Sequence, residues 1–271
     1  MIKKQNLHTH TIYCDGADTP ERLVEAAIAK GFDSIGFSGH SYMPYADWVP
    51  QDRTVEYKEH INRLKKQYED RIKIYLGLEV DMYSGPVTDL TGFDYLIGAV
   101  HELKRGEQFF SIDESADNVR QVVERYFSGN GLAFAKAYYE ALASLPEYGS
   151  FDMVAHFDLI TKYRNIIPLF DEESKEYRGY AIEAARALAG KIPLFEVNTG
   201  AIARGYRTTP YPATFIIEEL RKLGFGAVIT SDCHDCTKLD CYFDEAAQLL
   251  RSCGFRERFV LNDKGFVPEA L

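Results

Sequence analysis

Cysteine is sparse and odd in number: five in 271 residues, three of them between Cys233 and Cys241. A disulfide framework is therefore not the organising principle of this chain. A chain of this length buries most of its apolar surface unaided, so a bound metal is expected to serve chemistry rather than folding. No apolar run reaches transmembrane length. The opening Met1-Ile2-Lys3-Lys4-Gln5-Asn6 lacks the apolar core of a signal peptide. With the cysteine usage, these features predict a reduced, cytoplasmic protein. Basic charge is also short, with 31 Lys and Arg against 41 Asp and Glu and a net charge of −10. That argues against nucleic acid or an anionic membrane as the main partner, both of which favour basic surfaces. A small anionic substrate stays open, because it responds to the local charge of its pocket.

Several catalytic signatures are missing too. There is no Walker phosphate loop, no Gly-x-Gly-x-x-Gly and no Gly-x-Ser-x-Gly elbow, so covalent catalysis by serine or cysteine has no support. Cys233 and Cys236 form a C-x-x-C, but no second pair exists to complete a structural zinc site. The pair also brackets His234 late in the chain, where a thioredoxin-like redox motif is not expected.

What is present is an alternation of short apolar runs and longer amphipathic stretches, in a chain 46% hydrophobic and 27% charged. This is the pattern of βα units. Strands are expected over residues 4–8, 34–38, 73–79, 95–101, 152–156, 194–198 and 227–231. Thr19-Pro20 opens a helix that Gly31 closes. Tyr57, Ile61, Leu64 and Tyr68 recur at helical spacing over 54–69. Further helices are expected over 116–144, 173–189, 213–223 and 244–253, and long loops over 43–52 and 104–115. No linker or repeat interrupts the chain, so residues 1–271 read as one domain. Seven strands with intervening helices predict an α/β fold, a barrel one unit short of the eight-stranded one. A doubly wound open sheet is the alternative.

Six of the seven histidines fall at, or within three residues of, the C-terminal end of an expected strand: His8, His10, His40, His101, His156 and His234. Glu79 ends strand three, Asp232 follows strand seven, and Asp15 lies in the first loop. A barrel gathers all such ends on one rim, where active sites are built. Any single histidine is more often a core group than a ligand, but six on one rim reverse that expectation. Imidazole with carboxylate suits zinc, iron or manganese, and bridging carboxylates suit clusters of ions. In His8-Thr9-His10 the period-two alternation of a strand puts both imidazoles on one side. His60 flanks a helical stripe and is expected to be packed or solvated. The loop after strand six carries Arg204 and Arg207, and Lys162 follows strand five. These three cations are candidate phosphate contacts.

The segments His8-Thr9-His10, Ser38-Gly39-His40, Gly77-Leu78-Glu79-Val80-Asp81, Ile97-Gly98-Ala99-Val100-His101, Ala155-His156-Phe157-Asp158 and Ser231-Asp232-Cys233-His234 resemble the polymerase-and-histidinol-phosphatase (PHP) family. They run in family order along nearly the whole chain. Phe110-Ser111-Ile112-Asp113-Glu114, Tyr138-Tyr139 and Glu196-Val197-Asn198-Thr199 bring it nearest the stand-alone histidinol-phosphate phosphatases. The resemblance implies a distorted seven-stranded (β/α)7 barrel with three divalent metals, whether zinc, manganese or iron. One ion would use His8, His10, Glu79 and Asp232. A second would share Glu79 with His101 and His156, and a third would use Asp15, His40 and His234. Asp18 is a rival for the place of Asp15.

The expected reaction is hydrolysis of L-histidinol phosphate to L-histidinol and phosphate by a metal-bridging hydroxide. Three ions against Asp15, Glu79 and Asp232 leave a charge of about +3, which suits a phosphate monoester and a hydroxide. Asp232 and His234 are the candidates for moving a proton to the leaving alkoxide. Another small phosphate ester (a nucleotide, a sugar phosphate or a phosphotyrosine) would keep the same chemistry. A non-catalytic module of a polymerase and a metal-dependent amidohydrolase are the readings from other classes.

Overall fold

The structure, a computed structural model, describes residues 3–43 and 51–271. In chain order the elements are β1 (Gln5–Asn6), α1 (Pro20–Ala29), β2 (Ser34–Phe37), α2 (Gln51–Gln67), β3 (Lys73–Asp81), β4 (Tyr95–Ala99), β5 (Glu102–Arg105) and β6 (Gln108–Ser111). They continue with α3 (Ala116–Phe127), α4 (Gly131–Ser144), β7 (Met153–Val154), α5 (Lys175–Leu188), β8 (Leu194–Asn198), α6 (Gly200–Ala203) and α7 (Thr214–Lys222). Last come β9 (Gly226–Thr230), α8 (Phe243–Ser252), β10 (Glu257–Asn262) and β11 (Gly265–Ala270).

All seven expected strands form and pair in parallel, in the order β1-β2-β3-β4-β7-β8-β9. The two edges then meet. Thr9 bridges Cys233 in parallel, His10 N–H donates to Cys233 O at 2.8 Å, and Cys233 N–H donates to His8 O at 3.0 Å. The sheet thus closes through the segments that carry the histidines, giving the α/β barrel rather than the open doubly wound sheet. Closure costs β1 length. Past Asn6 side-chain bonds join the main-chain bond from Ser38 N–H to Thr9 O, with Thr9 N–H donating to Ser38 Oγ and Thr9 Oγ1 to Gly36 O.

One end of the barrel is sealed. Leu7, Tyr95, Ile97, Met153, Leu194 and Val228 form an inner apolar cluster with Leu261 of β10, against which Phe259 and Phe266 pack. Tyr95 lies across this interior and donates its hydroxyl to Leu7 O at 2.5 Å. Gly77 makes room for it, since a Cβ there would stand 2.2 Å from the ring. Outside the sheet, α1 buries Leu23, Val24 and Ala27, and α7 buries Ile216, Ile217 and Leu220. Each such Leu, Ile or Val contributes about 1.5–3 kcal/mol. Among the described residues no helix is long and apolar enough to cross a membrane.

Four expectations change. The helix expected over 116–144 is two, because Ser128 and Gly129 take positive φ and Asn130 caps α4 by accepting from Ala133 N–H. The loop expected over 104–115 contains part of a hairpin, β5 paired with β6 and turned at Gly106. The C-terminal hairpin β10–β11 was not expected at all. The loop expected over 43–52 lies mostly outside the described residues, and its last two positions begin α2.

Candidate metal centre

The open end of the barrel holds the cluster. His8 follows β1 with His10 two residues on, and their Nε2 atoms are 3.1 Å apart, as strand alternation requires. Glu79 stands on β3, the longest strand, and its main chain is tied to Gly39 O and to Ser41 N–H. Its two carboxylate oxygens face different histidines. Oε2 is 3.3 Å from His8 Nε2, 3.5 Å from His10 Nε2 and 3.1 Å from His40 Nδ1. Oε1 is 3.0 Å from His156 Nε2 and 3.4 Å from His101 Nε2, and those two nitrogens are 3.2 Å apart. Asp232 Oδ1 completes the first group at 3.2 Å from His10 and 3.7 Å from His8. Asp15, His40 and His234 gather toward solvent, with Asp15 Oδ2 3.0 Å from His234 Nε2 and Oδ1 3.7 Å from His40 Nε2. All nine side chains proposed as ligands from the sequence therefore meet in one place.

This donor set fits divalent metal. Two nitrogens bound tetrahedrally to one zinc at the usual ~2.05 Å sit about 3.3 Å apart. The His8–His10 and His101–His156 separations match that edge. Glu79 Oε2 is buried and makes no hydrogen bond, although three imidazole nitrogens surround it. A buried carboxylate in that position requires positive charge.

Asp18 does not compete for the cluster. Its carboxylate accepts from Cys236 N–H at 2.7 Å and pairs with Arg22. His60 also stays apart, between Tyr13 and Glu21. All five cysteines are free, and burial pushes the Cys233 thiol up to about 12, so Cys233 stays a thiol at neutral pH.

A cavity of about 680 Å³ opens over the cluster. Eight of the nine ligand candidates line it, with fully buried His8 the exception. Arg204 lines it too, just past α6, and donates to Asp232 Oδ2 at 3.0 Å and to His234 Nδ1 at 2.8 Å. Asp232 itself takes a left-handed φ of 46°, a strained conformation often found at functional sites. Lys162 reaches the far wall and pairs with Asp113 at 2.9 Å. Arg207 is different. It is 2% exposed, bonds Thr161 and Asp158, and lies against the Tyr211 ring. Of the two arginines, Arg204 faces the cavity and Arg207 braces the loop from within.

Two further carboxylates had no role assigned from the sequence. Glu196, on β8, is fully buried and faces both His8 and the main chain of His156. Its signal was visible, a carboxylate inside the apolar run Leu194-Phe195-Glu196-Val197. Glu102, on the hairpin wall, is pushed up to about 9 by burial and by the Asp81 charge, so it is uncharged at neutral pH.

Charge within the cluster couples metal to protons. Burial acting alone would strip His8 of its proton, but Glu196, Glu79 and Asp232 outweigh it and push its pKa up to about 10. Burial likewise opposes, and is outweighed by, the carboxylates that raise His101. These imidazoles therefore carry protons at neutral pH when no metal is bound, and a metal must displace them. Zinc affinity should fall as pH drops, by up to about tenfold per unit for each proton displaced. Calorimetry at pH 7 in two buffers of different ionisation enthalpy measures this. At least one proton released per chain is expected, and none would contradict the charge assignment.

The comparisons with known proteins agree with this geometry. The PHP domain family matches residues 6–200. The histidinol-phosphatase of Lactococcus lactis is 28% identical over 269 residues, covering 94% of this chain and 93% of that protein. The probable histidinol-phosphatase of Deinococcus radiodurans is 28% identical over 263 residues, covering 92% and 93%. The crystal structure of Lactococcus lactis histidinol phosphate phosphatase, complexed with zinc, L-histidinol and phosphate, has the same fold. Its TM-score is 0.76 at 24% identity, over 98% of this chain and 100% of that one. With its family match spanning most of the barrel and its strand-end histidines assembled into one centre, the chain belongs to the PHP-domain family.

Proposed function

We propose that this protein is a metal-dependent phosphoric monoester hydrolase acting on L-histidinol phosphate. The carrying observation is the nine-residue cluster, eight of whose members line a single cavity, with Arg204 beside it. Relatives matched over more than nine-tenths of both chains bear the histidinol-phosphatase name. Three ions are proposed: one held by His8, His10, Glu79 and Asp232, one by Glu79, His101 and His156, and one by Asp15, His40 and His234. When bound, divalent ions here supply Lewis acidity to water and to the phosphoryl oxygens.

The chain supplies the rest. Hydrolysis forms a bond from phosphorus to the water oxygen and breaks the ester P–O bond, and a proton must reach the departing alkoxide. Burial opposes ionisation of Asp232, but Arg204 and His8 hold it well below the usual carboxylate range, so it stays ionised beside the cluster, a weak base for the proton that water loses. Burial and neighbouring His10 depress His234, leaving it neutral and able to relay that proton. Arg204 presents its guanidinium at the cavity floor for a phosphoryl oxygen. On the opposite wall Asp113, Glu114, Phe109 and Tyr206 line the cavity, a surface suited to the ammonium and imidazole of histidinol. Glu79 fills the bridging place that a carboxylated lysine takes in amidohydrolases, which favours the phosphatase reading.

Purified protein tested against a panel of phosphate monoesters, with elemental analysis of the same sample, decides the reading. Histidinol phosphate should be turned over well above nucleotides, sugar phosphates and phosphotyrosine, with about three ions per chain. The ion at Asp15, His40 and His234 should be the first lost to chelator, because Asp15 is exposed whereas Glu79 is not. Fewer than two ions after reconstitution would sink the cluster model. In the same assay Arg204→Lys should raise KM or lower kcat without changing metal content. Arg207→Lys should act mainly through stability. If both single lysine variants and the double variant turned over histidinol phosphate like the parent, the loop would have no part in the phosphate grip, and Lys162 would be the next residue to test.

A further inference from the structure

Glu196 has no role in the reading above, yet it touches two of the proposed metal groups at once. We infer that Glu196 is a positioning residue that fixes the ring tautomer of His8 and pins the main chain of His156. The inference rests on reading His8 as a metal ligand and is independent of the substrate.

Four donors converge on this carboxylate, two on each oxygen. Oε2 accepts from His8 Nδ1–H at 2.8 Å and from Thr230 Oγ1–H at 2.7 Å. Oε1 accepts from His156 N–H at 2.7 Å and from Asn198 Nδ2–H at 2.7 Å. An ionised carboxylate only accepts, so His8 must carry its proton on Nδ1. Once its other proton is displaced, Nε2 presents its lone pair toward Glu79, His10 and Asp232, the face a metal needs. A partner on the other ring nitrogen sets which nitrogen binds metal and raises its basicity. The second oxygen acts through the backbone. It holds His156 N–H where β7 ends after two residues, so that the strand-end turn is fixed by Glu196 rather than by a long ladder. One side chain on β8 thereby registers a ligand of the first group against a ligand of the second. Asp81 makes a longer contact with His101 Nδ1, at 3.6 Å.

Glu196→Gln makes the consequence sharp. The main-chain N–H of His156 cannot become an acceptor, so the glutamine carbonyl must stay with it. The glutamine NH2 then faces His8 Nδ1 and Thr230. Thr230 can turn its hydroxyl, but His8 can accept only by moving its proton to Nε2, which blocks the metal face. Zinc affinity measured by chelator competition should therefore fall by at least about tenfold. Thr230→Val removes a neighbouring donor from the same oxygen and leaves the His8 bond, so its zinc affinity should stay near the parent's. A purely structural role for Glu196 would make the two variants alike. In the zinc-loaded parent, ¹⁵N NMR should show His8 Nδ1 bearing a proton and Nε2 bound to zinc. Zinc on Nδ1, or a folded Glu196→Gln with the parent's affinity, would overturn the inference. If Glu196→Gln does not fold, the parent spectrum decides alone. Failure of the substrate reading leaves a different trace: an intact zinc site and tautomer with no turnover of histidinol phosphate.

Discussion

One buried negative charge organises the open end of this barrel. Glu79 is 1% exposed, and five of the six cluster histidines approach its two oxygens within 3.5 Å. Burial resists that charge, and the histidines His8, His40 and His101 hold the carboxyl well below its usual range. An anion in such a place is stable only among cations, whether protons on imidazole or metal ions. The surrounding architecture serves this requirement. The long β3 places Glu79, and β1, β4, β7 and β9 each bring histidine or carboxylate side chains around it. The closing bonds between His8–His10 and Cys233 hold the first and last of those strands together.

The two ends of the barrel obey different rules. At the sealed end the residues follow ordinary packing, with apolar side chains interlocked and Gly77 yielding space to Tyr95. At the open end local rules are broken repeatedly. Asp232 sits in left-handed backbone, charged groups are buried, and strands β1 and β7 stop after two residues. Such violations gather at functional sites, where the rest of the fold must compensate for them. The C-terminal hairpin that plugs the sealed end belongs to that compensation.

Much of this was legible in the sequence because it depends on period and position. Parallel strands buried on both faces read as apolar runs, and their ends located His8, His10, Glu79, His101 and His156 without any knowledge of the turns. The β5–β6 hairpin was hidden because the charged segment Lys104-Arg105-Gly106-Glu107 looks like loop, although it is the turn that lifts Phe109 over the cavity. The split of the helix at Ser128-Gly129 rests on positive φ, which composition only hints at. Arg204 and Arg207 were indistinguishable because they lie three positions apart on one loop, and only Arg204 lines the cavity. That depends on tertiary partners, Asp232 for one and Asp158 for the other. Glu196 was missed because strand reading treats an inward carboxylate as an exception rather than as a partner of a distant histidine.

The role proposed for Glu79 is to join two metal groups into one centre. Glu79→Gln keeps the size and removes the charge, so metal content and turnover measured on the same folded protein test the claim directly. The account predicts the loss of at least one ion per chain and a fall in turnover of at least about 10²-fold. A folded, fully metallated Glu79→Gln protein with near-parent turnover would contradict it.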